Sequence, residues 1–226
     1  MNPRFYLLLA LVGFCGGAAV YSAKEKTSMM KQTTWELNTI NNLGGHPTQV
    51  LGAPRLIEVS RGNALEFDGQ QDGIIIDVNP LAEVERFTLE VIFRPDPGGP
   101  KEQRFIHLQE AGGENRILIE TRLTGDNRWF LDTFIRSGET NQTLYAEKFL
   151  HPVGEWYQAA LVFDGREMRH YVNGSQEMSA LIQYQPMKPG RISLGVRLNR
   201  VFWFKGAIRK VRFTHEVLAP VDFLKR

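Results

Sequence analysis

Cysteine is almost absent from this 226-residue sequence, with Cys15 the only one. It sits in an N-terminal apolar run, so the chain beyond that run has no thiol. A stapling disulfide, a cysteine nucleophile and a thiolate metal site are excluded there. An excess of one charge is missing as well. The 27 Lys and Arg against 25 Asp and Glu leave a formal +2, too little for a basic field that would draw nucleic acid. No Gly-rich phosphate loop, nucleophile elbow or HExxH helix occurs, which argues against the chemistries built on those local geometries. His46, His107, His151, His170 and His215 show no close paired spacing, which argues against zinc. Neither a period-three glycine nor a solenoid-length repeat is present. Sustained helical periodicity is lacking too, leaving no more than a turn of helix near Leu81–Val84 or after Pro220. What remains is ample apolar material, 42% of residues with 11% aromatic, enough for one globular domain stabilised by burial alone.

Met1-Asn2-Pro3-Arg4 carries a basic residue, and Phe5 to Val20 is apolar apart from its glycines and Cys15. The run is shorter than a spanning helix prefers and ends in Gly16-Gly17-Ala18-Ala19, which reads as a signal sequence cleaved near Ala19. Two alternatives stay open: an uncleaved membrane anchor, or a lipid on Cys15, where Phe14 departs from the small residue that bacterial lipoprotein signals carry. Residues 1–22 are therefore expected to be leader or anchor, 23–32 a polar linker and 33–226 the domain. The expected location is secreted, periplasmic or envelope-associated, with membrane contact only through an uncleaved leader or a lipid.

Beyond the linker, short alternating apolar runs recur between Gly, Pro, Asn and Asp, the pattern of a two-layer antiparallel β-sandwich. Strands are expected near Trp35–Leu37, Ala64–Phe67, Gly73–Asp77, Phe87–Phe93, Phe105–Gln109 and Arg116–Arg122. Further ones are expected at Trp129–Ile135, Trp156–Phe163, Met168–Val172, Arg191–Leu194 and Ala207–Phe213. Asp68-Gly69, Asp72-Gly73, Asp164-Gly165 and Asn173-Gly174 supply residues that tolerate positive φ at reversals, and residues 95–100 (Pro-Asp-Pro-Gly-Gly-Pro) cannot continue a ladder. The nearly continuous apolar run from Trp156 to Phe163 suits a strand covered on both faces. In the last run, alternation sets Ala207, Arg209, Val211 and Phe213 against Ile208, Lys210 and Arg212.

Several of these pieces resemble a known family. Ala64-Leu65-Glu66-Phe67-Asp68-Gly69 with Phe87-Thr88-Leu89-Glu90 looks like the opening of a laminin-G-like, concanavalin A-like jelly roll. Leu161-Val162-Phe163-Asp164-Gly165, Tyr171-Val172-Asn173-Gly174 and the segment Phe204 to Arg212 follow in an order similar to bacterial LamG-like domains and pentraxins. The resemblance covers about residues 33–222. It implies a binding module, non-enzymatic, that recognises carbohydrate or a cell-surface protein. The same scaffold also hosts polysaccharide-degrading enzymes, so function must be argued from a site. Glucanases of this class resemble Glu-x-Asp-x-x-Glu, of which Glu66-Phe67-Asp68 supplies only two carboxylates. Alginate-lyase-like strands are only partly matched, by Phe105-Ile106-His107 and Trp203-Phe204-Lys205-Gly206-Ala207, and in the wrong order.

Alternation itself groups Phe105, His107 and Gln109, then Leu118, Glu120 and Arg122, then Phe130, Asp132, Phe134 and Arg136 on one face. Ile106, Leu108, Ile117, Ile119, Leu131 and Ile135 form the opposite, core face. On neighbouring strands, His107, Glu120, Arg122, Asp132 and Arg136 could hydrogen-bond sugar hydroxyls while an aromatic ring stacks on a pyranose. Alternatively Arg122 and Arg136 pair with Glu120 and Asp132 as cross-strand ion pairs. Trp35, Trp129 and Trp156 are expected in the core, whereas Trp203, in an arginine-flanked segment, is a candidate contact residue. Calcium, common in the resembled families, has hard oxygen donors available at Asp68, Asp72, Asp77 and Asn79, residues equally suited to tight turns.

Overall fold

The computed structural model describes Met1 and residues 31–226. The leader or anchor, the lipid site at Cys15 and the linker as far as residue 30 lie outside the described residues. Among those described, no helix is long and apolar enough to cross a membrane.

The strands in chain order are β1 (Gln32–Glu36), β2 (Asn42–Leu43), β3 (His46–Leu51), β4 (Arg55–Val59), β5 (Gly62–Asp68) and β6 (Gly73–Ile76). Next come β7 (Phe87–Pro95), β8 (Glu102–Glu110), β9 (Arg116–Leu123), β10 (Arg128–Ser137), β11 (Thr140–Tyr145) and β12 (His151–Pro152). β13 (Tyr157–Phe163), β14 (Glu167–Val172), β15 (Ser175–Leu181), β16 (Gly190–Leu194) and β17 (Lys205–Thr214) complete the set. The expected helical turn after Pro220 is a 3-10 turn at Pro220–Asp222, and Leu81–Val84 is a non-helical turn.

Two antiparallel sheets face each other. One runs β15-β14-β13-β7-β17-β5-β4, with β1 also paired to β17; the other runs β11-β10-β9-β8-β16-β6-β3-β2, with β12 also paired to β10. Between them lies one continuous core. Its centre is aromatic: Phe93 stacks on Phe105 at 4.6 Å between ring centroids and meets Trp129 edge-on at 5.2 Å. Such offset and edge-on contacts suit the ring quadrupoles. β13 is buried at every position because it lies mid-sheet between β7 and β14 and is covered twice. Leu161 and Phe163 face the core, while Ala160 and Val162 pack under Leu218 and Phe223 of the C-terminal segment.

Asn173 (φ 51°) and Gly174 (φ 81°) both adopt the left-handed region, the backbone of a two-residue type I′ hairpin between β14 and β15. Gly73 opens β6, as the expected strand at Gly73–Asp77 has it, but not as a reversal with positive φ; glycine is required because a Cβ there would lie 2.5 Å from Val196 Cγ1.

Strict alternation fails where the strands bulge. On β8 the register against β9 shifts between Arg104 and Ile106, so Phe105 turns into the core instead of joining the outer face with His107. On β17 a shift between Ile208 and Lys210 makes Arg209 the extra residue and puts Ile208 in the core with Val211 and Phe213. Trp35 and Trp129 are buried as expected. Trp156 is not: it precedes β13 and is half-buried, with the guanidiniums of Arg94 and Arg209 at 5.6 and 5.7 Å from its ring centroid.

Candidate functional site

The outer face of β8, β9 and β10 is a grid fixed by register. Arg104 pairs with Glu120 and Glu120 with Asp132, forming one row across the three strands. The next row is Glu102, Arg122 and Phe130; on the other side lies His107, Leu118 and Phe134. β11 extends the surface, setting Tyr145 opposite Asp132 and Thr143 opposite Phe134. The loop from Gly195 to Phe204 between β16 and β17 forms a wall, bringing Arg197 to the grid. Arg200 and Phe202 in that loop both hold φ near 60°, a costly backbone for side chains that are neither Gly nor Asn. The guanidinium of Arg104 lies 3.7 Å from the Phe202 ring centroid, which ties the wall to β8.

These elements enclose an open cleft of about 330 Å3, lined by Arg104, Glu120, Arg122, Asp132, Phe134 and Arg197, with Arg116, Leu118 and Thr143 beside them. Arg122 organises its floor. Its Nε donates to Asp132 Oδ2 at 2.8 Å, its Nη2 to Glu120 Oε2 at 3.3 Å, and its Nη1 lies 2.6 Å from Glu102 Oε1. Arg104 Nε approaches Glu120 Oε2 to 2.9 Å, an ion pair out of line for a hydrogen bond. Glu120 and Asp132 are only 2% and 1% exposed. Burial, reinforced by the charge of Asp132, outweighs both arginines and pushes Glu120 up to about 7. Burial likewise raises Asp132 against the pull of Arg122 and Arg104. Several polar atoms here are buried without a protein partner: Asp132 Oδ1, Arg104 Nη1 and Arg197 Nε.

Glu120, Arg122 and Asp132 are thus brought together on the cleft floor, the last two as the expected ion pair. His107 does not reach it. Its Nδ1 accepts from the Leu198 N–H at 3.0 Å, so the loop covers the ring and Nε2 carries the proton. Burial, with the charges of Arg197, Arg116 and Arg104, pushes His107 down to about 3, leaving it neutral. Arg136 stands at the rim, 3.5 Å from Glu114 and not paired with Asp132. Trp203 is half-buried in the wall loop and does not line the cleft. Sequence reasoning missed Arg104, because alternation without the bulge placed it on the core side. Arg116 and Arg197 were also missed, although Arg116 shares the parity of Glu120 on β9 and Arg197 opens the arginine-flanked segment.

The four calcium candidates do not form a cage. Asp68 Oδ1 accepts from the N–H groups of Gln70, Gln71 and Asp72 at 2.8, 2.9 and 3.0 Å. Although burial pulls Asp68 upward, those donors hold its carboxyl below the usual carboxylate range. Asp72 accepts from Ala53 and Asp68 N–H groups. Exposed Asp77 pairs with Arg191 at 2.8 Å, and Asn79 caps Leu81 at 3.0 Å while donating to the Lys188 carbonyl. Their oxygens serve backbone turns and one surface ion pair, so these residues do not fit calcium. Among the described residues no group of three or more His, Cys, Asp or Glu is arranged for a metal ion. Glu66, the other half of the partial glucanase motif, is held by Arg55 and Arg94.

A two-sheet antiparallel sandwich of this topology is a concanavalin A-like jelly roll. A family profile described as Laminin_G_3, concanavalin A-like lectin/glucanases superfamily, matches residues 68–222, and the chain belongs to that family. Among solved structures, it is similar to domain 4 of AbnA, an extracellular arabinanase from Geobacillus stearothermophilus, in complex with arabinotriose. That pair shares 18% identity, with a TM-score of 0.64 over 85% of this chain and 96% of that one. It is also similar to the binding domain of Paraclostridial Mosquitocidal Protein 1, at 11% identity and TM-score 0.64 over 84% of this chain and 50% of that one. The receptor binding domain of botulinum neurotoxin D matches at 16% identity and TM-score 0.62 over 84% and 50%. The chain therefore spans about half the length of each of these two toxin domains. No curated sequence matches it.

Proposed function

We propose that this chain is an exported, non-enzymatic binding module that holds a carbohydrate in the cleft on the outer face of β8, β9 and β10. The observation that carries this reading is the cleft's lining, which brings the carboxylates of Glu120 and Asp132 and the guanidiniums of Arg104, Arg122 and Arg197 to one concave surface. Sugar hydroxyls both donate and accept, so one pyranose can meet both the carboxylates and the guanidiniums. The cleft's size suits a sugar or two better than a flat protein surface. The arabinotriose-bound arabinanase domain and the toxin receptor-binding domains are similar in fold, which is consistent with either a glycan or a surface-protein partner. Export is supported by the leader-like residues 1–22, and fractionation of cells expressing the full chain tests it. Binding is tested by isothermal titration and a glycan array: the expected result is micromolar to millimolar binding without turnover, weakened by Asp132→Asn. A blank array that coincides with capture of a surface protein would favour the protein partner.

One observation favours a second reading, a polysaccharide-degrading enzyme. Glu120 Oε2 and Asp132 Oδ2 both contact Arg122 Nη2, at 3.3 and 2.7 Å, which puts two carboxylates on one cleft no more than about 6 Å apart, a limit that admits the roughly 5 to 5.5 Å of a retaining pair. Glu120, titrating at about 7, suits a general acid. Release of reducing ends from arabinan, laminarin or alginate, lost in Glu120→Gln, would establish it and replace the binding reading.

A further inference from the structure

From the imbalance of charge around the same cleft, and resting on the carbohydrate reading, we infer that its ligand is an acidic saccharide whose carboxylate is seated on Arg197. The lining brings four guanidiniums, Arg104, Arg116, Arg122 and Arg197, to two carboxylates, Glu120 and Asp132. Glu102, Glu114 and Arg136 join at the rim through ion pairs. The tally is five cations to four anions, and the surplus has an address. Arg104, Arg116, Arg122 and Arg136 each have an acidic partner within 4 Å, whereas Arg197 has none among the described residues.

Arg197 is also set up to receive an anion. Its side chain is half-buried and lines the cleft beside Arg104, a second guanidinium. Burial, followed by the charge of Arg104, holds Arg197 below its ordinary value against the more distant pull of Glu120 and Glu114, a state that a bound anion relieves. Its backbone is fixed: its N–H donates to the Val201 carbonyl at 3.2 Å, its carbonyl accepts from Arg200 at 2.7 Å, and the next residue is pinned to His107. A planar carboxylate matches a guanidinium fork, and the sugar that carries it offers hydroxyls to the other polar groups lining the same cleft. A neutral sugar brings no charge to offset the surplus cation, and a bare anion makes no use of the other lining groups.

The test compares three probes on the full-length protein by titration calorimetry: trigalacturonate, its methyl ester and cellotriose, alongside an array carrying uronate-, sialate- and sulfate-bearing saccharides. Trigalacturonate or another carboxylated saccharide is expected to bind about 10- to 100-fold tighter than its ester, an advantage that added salt and Arg197→Gln both remove. Arg197→Gln loses no ion pair within the protein, and an unchanged melting temperature confirms its fold. Equal binding of acid and ester, a preference for neutral or sulfated sugars alone, or an acid preference unaffected by Arg197→Gln would each overturn the inference while leaving the carbohydrate reading standing. No binding to any saccharide would overturn both.

Discussion

Replacing Arg122 by Met tests whether the cleft floor is held by one guanidinium. The variant keeps a flexible apolar stem but removes every contact to Asp132, Glu120 and Glu102. Glu120 and Asp132 would then face each other across the β9–β10 pair, Glu120 with Arg104 as its one remaining cationic partner within 4 Å and Asp132 with none among the described residues. Removing one member of a buried ion pair costs about 3–5 kcal/mol. The cleft admits water, so about 3 kcal/mol is expected at pH 8. The loss depends on pH with a definite sign. A carboxyl whose folded pKa is raised favours the folded state below its unfolded value, and that contribution disappears as pH rises through the folded value. For Glu120 the window already runs from about 4.5 to about 7, and losing Arg122 extends it upward. At pH 5 the carboxyls of the variant therefore protonate, and the deficit should shrink to about 1 kcal/mol. Urea unfolding followed by the fluorescence of buried Trp35 and Trp129 measures both values. Adding Glu120→Gln to Arg122→Met should recover half or more of the loss at pH 8. A deficit below about 1 kcal/mol at pH 8, or one equal at both pH values, would refute the reasoning.

Other consequences follow from the buried histidines, one glycine and the turn aspartates. His107 and His170 are pushed down to about 3, by burial in both cases, so the stability they carry is full above pH 6.5 and is lost as pH falls toward 3. His170→Asn, which can keep a hydrogen bond to Thr133, should flatten the acid limb of stability against pH by up to about 1.4 kcal/mol per unit, and an unchanged limb would contradict this. Gly73→Ala should lose about 1–3 kcal/mol in urea unfolding through overlap with Val196, and Val196→Ala on that background should restore part of it; a neutral Gly73→Ala would sink the packing argument. Millimolar calcium or a chelator should leave Tm unchanged. A site filled a hundredfold above its Kd adds about 2.7 kcal/mol, so a rise of several degrees would show that Asp68 and Asp72 hold the ion after all.

Composition and alternation made the two-layer architecture legible, since the continuous apolar run Tyr157–Phe163 reads as a strand covered on both faces and the alternation along Arg116–Leu123 separates Ile117 and Ile119 of the core from Glu120 and Arg122. The strands that went unread are mostly marginal in the sheets. β4 and β15 end one sheet and β11 ends the other, where exposure permits polar sequences such as Thr140-Asn141-Gln142-Thr143. The site was half legible. Glu120, Arg122 and Asp132 follow from counting by two along regular strands. Arg104 did not, because a bulge is a tertiary accommodation with no single-residue signature. Arg197 did not, because a loop's course is set by what it packs on, here the ring of His107. Gly73 misled because a glycine beside an aspartate reads as a turn, although its cause is a neighbour 123 positions away in sequence, Val196.

Phe105 has a consequence for any redesign of this molecule. Before it, the even-numbered side chains of β8, Glu102 and Arg104, look outward; after it the odd-numbered ones, His107 and Gln109, do so, while Phe105 and Ile106 both turn inward. One residue thus changes the parity of the strand midway. Deleting Phe105 would remove the extra residue and leave one regular phase, with Glu102, Arg104, His107 and Gln109 still outward and Ile106 and Leu108 still inward; what would be lost is the ring stacked on Phe93 and Phe204. The bulge thus lends an aromatic side chain to the interior without shifting the outer grid, so at this position the core can be altered while the face is kept.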